Sequence, residues 1–177
     1  MLPAQSTRGL TLFAIEHDSP DANLPLAEPT GSAAAAVRAL DHVVVSSGDI
    51  EASRALYGDL LGLRLALDRR FEARGLRILF FRIGGVTVEV AGPLEPPADA
   101  PPTDRFGGLA YRVGDVDAAR SRLLAGDFDV SEVRAGAKPG TRVCTVRRET
   151  HGVPTLLIEP GPPAARAGRA PATDARR

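Results

Sequence analysis

The sequence predicts an α+β protein built from two copies of a βαβββ unit. Three observations carry that prediction. "GDIEASR" at 48–54 lies over "GDVDAAR" at 114–120 at an offset of 66, and "GVTVEVAGP" at 85–93 lies over "GVPTLLIEP" at 152–160 at an offset of 67. Each "GD" opens a helical pattern that a glycine closes. Short alternating or apolar runs follow each helix. One βαβββ sheet has a single face to bury, so two such units pair to share a core.

The elements follow in order. In module one, residues 38–91, "LDHVVVS" predicts a strand over 40–46. Asp49 is a suitable N-cap for a helix over 49–61. Ile50, Tyr57, Leu60 and Leu61 fall on one face of it, and Gly62 suits its C′ position. Strands are expected near 63–70, 76–83 and 86–91, the last two joined by the turn glycines Gly84 and Gly85.

In module two, residues 105–160, a strand over 107–113 leads to a helix over 115–125. Asp115 caps it, Val116, Ala119 and Leu123 form its apolar stripe, and Gly126 ends it. Strands are expected near 128–134, 141–148 and 153–159.

Three stretches read as connectors. Residues 17–37 are rich in Pro, Ala and Asp and read as a linker. Residues 92–104 carry five prolines, a stiff link between the modules. Residues 161–177 lack apolar periodicity and read as a disordered tail. At the N-terminus, "RGLTLFAIEHDSP" at 8–20 echoes "HGVPTLLIEPGPP" at 151–163. Residues 8–16 are therefore expected as a strand, either the remnant of a preceding module in a truncated chain or an unrelated N-terminal strand.

Bulk composition narrows the function. The 177 residues balance 22 basic against 22 acidic side chains, so no overall field recruits nucleic acid or an anionic membrane. Lys138 is the only lysine and sits in the turn "AGAKPG", so amine chemistry is discounted. The lone Cys144 excludes an intrachain disulfide and a CxxC zinc site, which fits a reducing, cytoplasmic setting. No run is long and apolar enough to span a membrane, and no apolar leader opens the chain. Nucleotide-loop, GxSxG and HExxH motifs are missing.

Paired βαβββ units carrying "DHVVV", "DIEASRALYGDLLGL", "GGVTVEV" and "GVPTLLIEP" resemble the vicinal oxygen chelate superfamily, the glyoxalase, bleomycin-resistance, epimerase and extradiol-dioxygenase group. The resemblance covers 38–160. It implies a curved mixed sheet with a cleft, and a divalent metal (Zn, Ni, Mn or Fe) held by one ligand from the first and one from the last strand of each unit. The matching positions are His42 and Glu89 in module one. In module two they are Gly108 and Leu156, neither of which can ligate, so the implied ligand set is incomplete.

His151, in the turn before the last strand, is the nearest candidate to complete it. His42 is either a metal ligand or a fold histidine bonded to a neighbour. Glu89 is either a ligand or the proton-transfer base, since a carboxylate inside "VTVEVA" must be paired or neutralised when buried. Arg82, with Phe81 and Tyr111, is the candidate substrate contact, from an arginine-rich stretch that also holds Arg69, Arg70, Arg74 and Arg77.

The resemblance implies a metal-assisted lyase, isomerase or epimerase for a small substrate with vicinal oxygens, dioxygenase chemistry being less favoured. The other reading is a metal-free ligand-sequestering protein of the same fold. A homodimer is expected, because the sheets leave edges that a second chain can cover.

Overall fold

The computed structural model describes residues 2–3, 6–16, 18, 20, 32–96, 98 and 103–162. Both predicted units are present, fused into one eight-stranded mixed sheet in the order β2-β3-β4-β1-β5-β8-β7-β6. Module one contributes β1 (Val37–Ser47), β2 (Arg64–Phe71), β3 (Leu76–Ile83) and β4 (Val86–Pro93). Module two contributes β5 (Asp104–Val113), β6 (Arg134–Ala135), β7 (Arg142–Val146) and β8 (Thr155–Glu159). In each unit the first and last strands pair in parallel, β1 with β4 and β5 with β8. The units join where β1 pairs antiparallel with β5, from Val37↔Val113 to Ser47↔Asp104. The pairing therefore lies within one chain.

One helix per module covers the same face of the sheet. α1 (Ile50–Arg54) is capped by Asp49, whose carboxylate accepts from Ala52 N at 3.0 Å. α2 (Val116–Ala125) is capped by Asp115, which accepts from the amides of Asp117 and Ala118. Beyond Arg54 the first helix departs from expectation and widens into a π-helix over Ala55–Leu60, with Leu61 N bonding to Leu56 O. Gly58 sits in that widened turn against the Phe81 ring, and adjacent Leu56 and Tyr57 are both buried there.

Two cores result. Val45, Ile50, Leu56, Tyr57, Leu79, Phe81 and Val90 pack under the first helix. Val113, Val116, Ala119, Cys144, Val146 and Leu157 pack under α2. Strand alternation then sends the intervening residues to the opposite, cleft face.

Two expected strands are altered. The strand expected near 128–134 shrinks to β6. Before it, Val130 only bridges Val146, and the Ser131 hydroxyl bonds Thr145 N in place of a ladder bond. Residues 8–16 form no strand. Instead a turn at Thr7–Gly9 docks on β5, where Arg8 pairs with buried Asp104 at 3.1 Å and Asp104 N bonds Arg8 O at 2.6 Å. Ser53 donates to the same carboxylate at 2.8 Å, so this turn ties the start of β5 to α1. Most of the 17–37 linker, part of the 92–104 connector and the tail beyond Pro162 lie outside the described residues.

Candidate functional site

The cleft face at the module junction holds the first of the expected pairs. His42 on β1 is in register with Thr87 on β4, two residues from Glu89. Parallel pairing and shared parity bring the side chains together. His42 Nδ1 lies 3.7 Å from Glu89 Oε1, with 13% and 22% of the two side chains exposed. Both are sheltered enough for their charges to interact through little water.

A third and a fourth group join this pair. A register shift between Leu40 and His42 inserts Asp41 as an extra residue in β1. Its carboxylate bonds His42 Nδ1 at 2.9 Å. On its other side Arg112 of β5 brings Nε within 2.8 Å of Asp41 Oδ1, an ion pair in which that N–H is not aimed along the contact. Arg112 also donates to Gly85 O at 2.9 Å, tying β5 to the β3–β4 turn of module one. Asp41 and Arg112 were not among the sequence candidates.

The electrostatics follow from these contacts. Burial works to lower the His42 pKa, but the Asp41 hydrogen bond and the Glu89 charge outweigh it and the value is raised. The His42 hydrogen bond, aided by Arg112, holds Asp41 below its ordinary value despite some burial. Glu89 is raised because burial penalises its charged form more than His42 compensates. The junction thus sets an imidazole and a carboxylate side by side, each with its pKa raised, the first by its acidic neighbours and the second by burial.

The other expected residues are placed differently. Arg82 is on the cleft face and donates to Thr87 Oγ1 at 2.8 Å, beside the His42 register position. Phe81, fully buried, faces the helix side against Tyr57, with ring centroids 5.8 Å apart. Tyr111 packs against the second core. Neither aromatic side chain reaches the cleft, because strand parity turns them the other way. Phe80, in register with Glu89, takes the cleft position instead. Arg77 also faces the helices, clamped between Asp68 and Glu51. His151 is exposed in the turn before β8, at φ 50°, and is not drawn to His42 or Glu89 by any described contact.

The residues present do not fit a divalent metal. Gly108, the first-strand position of module two, has φ 145°, and a Cβ there would fall 2.5 Å from Pro154 O. That backbone leaves no room for a ligating side chain. Leu156 offers only hydrocarbon. Asp41 is already committed to Arg112 and His42. Among the described residues no three His, Cys, Asp or Glu side chains are grouped to hold an ion. Two protein donors are short of the three or four that such ions usually take.

Comparison with known proteins matches residues 41–145 to the model of the Glyoxalase/Bleomycin resistance protein/Dioxygenase superfamily. The ethylmalonyl-CoA/methylmalonyl-CoA epimerase of Cereibacter sphaeroides is 28% identical over 130 residues, 68% of this chain and 87% of that protein. The crystal structure of methylmalonyl-CoA epimerase from Mycobacterium tuberculosis superposes with a TM-score of 0.58 at 24% identity, covering 71% of this chain and 90% of that one. A Streptomyces coelicolor methylmalonyl-CoA epimerase in complex with 2-nitronate-propionyl-CoA gives 0.57 at 20% identity, covering 70% and 98%. With more than half of its length matched and the paired βαβββ sheet in place, the chain belongs to the glyoxalase, bleomycin-resistance and dioxygenase superfamily.

Proposed function

We propose that this chain is an epimerase- or isomerase-type enzyme that moves a proton at the carbon beside a carbonyl of a small oxygenated acyl substrate. The observation that carries the reading is the His42–Glu89 pair, 3.7 Å apart on the sheltered cleft face with the Glu89 pKa raised. A carboxylate whose pKa is raised is a stronger base for a weakly acidic C–H. Glu89 takes the proton, and the C–H electron pair moves onto the carbonyl oxygen as an enolate. His42, held at Nδ1 by Asp41, presents its remaining ring nitrogen, Nε2, to that oxygen as a hydrogen-bond donor. A proton returned by Glu89 to the same face completes exchange, and a proton delivered from solvent to the opposite face of the planar enolate completes epimerisation. No step is assigned to a metal, because the donor set does not fit one. The epimerases among the relatives support this chemistry by similarity.

A second reading is favoured by Gly108 and Leu156, which put no ligating or proton-transferring side chain at the second module's two matching positions. The chain would then sequester a ligand without changing it. Deuterium uptake from D2O into a panel of acyl thioesters, methylmalonyl-CoA included, separates the two. The enzyme reading expects exchange that Glu89→Gln abolishes. Binding without exchange across the panel would leave sequestration standing. As part of the same reading we propose a homodimer built through the free sheet edges β2 or β6, working in a reducing compartment that suits the buried thiol of Cys144.

A further inference from the structure

The arginines of module one divide between the two faces of the sheet, and the division is not even in charge. On the helix face Arg77 is held by two carboxylates, Asp68 and Glu51. On the cleft face Arg64 and Arg82 stand directly opposite each other in the β2–β3 ladder. Among the described residues no carboxylate pairs with either. Their neighbours Leu65 and Phe81, also in register, belong to the core, so parity sends both guanidinium groups to the cleft side. Like charges in directly opposed positions destabilise a sheet, and nothing described offsets them here.

The surroundings complete a recognition surface. Arg82 is oriented by its hydrogen bond to the buried Thr87 hydroxyl, which sits in register with His42. Next along the same face come Leu67, 49% exposed, and its partner Phe80, which in turn is in register with Glu89. Arg69 already lies over the Phe71 ring at 4.7 Å, so it is engaged elsewhere. Two unneutralised forks beside an apolar strip favour a ligand with an oxyanion at one end and an apolar or planar body.

We propose that Arg64 and Arg82 form an oxyanion subsite for an organic phosphate or carboxylate, whose apolar body lies along Leu67 and Phe80 toward Glu89. This rests on reading the cleft face as the site, but not on the proton transfer.

The test is an NMR titration of the full chain with phenyl phosphate, benzoate, inorganic phosphate and benzyl alcohol. Both organic anions, or one of them, bind more tightly than inorganic phosphate and benzyl alcohol, and the stronger of the two identifies the oxyanion class. The double variant Arg64→Gln/Arg82→Gln weakens the preferred anion by about tenfold or more. Arg64→Gln alone melts no lower than wild type, because it relieves repulsion, whereas a structural role for Arg64 would lower the melting point. Glu89→Gln keeps anion binding even where it loses proton exchange, which separates this subsite from the catalytic reading. Unchanged binding in the double variant, or benzyl alcohol binding as well as phenyl phosphate, would overturn the subsite.

Discussion

Gly108→Ala is the substitution that probes the closed half of the site most directly. At φ 145° an L-residue carries backbone strain of about 1–2 kcal/mol. The new Cβ would fall 2.5 Å from Pro154 O and 3.1 Å from Pro154 Cβ, so strands β5 and the turn before β8 must separate. Forced repacking of that kind costs about 1–3 kcal/mol. The bond from Leu109 N to Pro154 O, 2.9 Å, is the first to lengthen, at about 1 kcal/mol. A loss of about 4 kcal/mol is expected, a large part of the ~5–15 kcal/mol of a typical domain. With a urea slope of about 2 kcal/mol/M, the midpoint falls by about 2 M. Gly152→Ala is the control: its φ is 79° but nothing lies within 4 Å of its Cβ, so only the strain of about 1 kcal/mol applies. Equal midpoints for the two variants would refute the clash. So would stoichiometric Zn binding by a folded Gly108→His/Leu156→Glu protein, since it would mean the backbone readily admits the missing ligands.

Two further outcomes follow from the polar groups. His42 has a raised folded pKa, so its proton stabilises the fold fully below the ordinary value of 6.5, and that contribution is lost as pH rises through the raised one. Urea midpoints should therefore fall across the neutral range, and His42→Gln should flatten that part of the curve; an unchanged slope in the variant counts against the Asp41 and Glu89 contacts. Tyr57→Phe should be neutral or stabilising by up to about 1 kcal/mol, because the Tyr57 hydroxyl is buried without a hydrogen-bond partner and burial pushes its pKa up to about 12. A clear loss of stability in that variant would reveal a partner for the hydroxyl.

What could be read from the sequence depended on the distance over which each cause acts. Asp49 and Asp115 announced their helices because capping is local: the acceptor and the amides it serves lie two or three residues apart. The repeat exposed the module plan, and the resemblance put His42 and Glu89 together across the 46 positions that separate them in the chain, where they indeed lie side by side. Phe81 and Tyr111 were misplaced because their side follows from strand parity, and one residue of phase exchanges core for cleft. Asp41 and Arg112 were missed because their meeting needs the bulge at Leu40–His42, which no local pattern signals. The Arg8–Asp104–Ser53 cluster joins three distant parts of the chain, and no spacing rule reaches that far.

The β1–β5 seam has a mechanical consequence. These are the two longest strands, of 11 and 10 residues, and they are the strands through which the two halves share their sheet. His42 and Arg112 stand on that keel, while Arg82 on β3 and Arg64 on β2 ride on the outer ribbon, two and three strands from β1. The slowest-exchanging amides belong along β1 and β5, and the fastest ladder amides at the β2 and β6 margins.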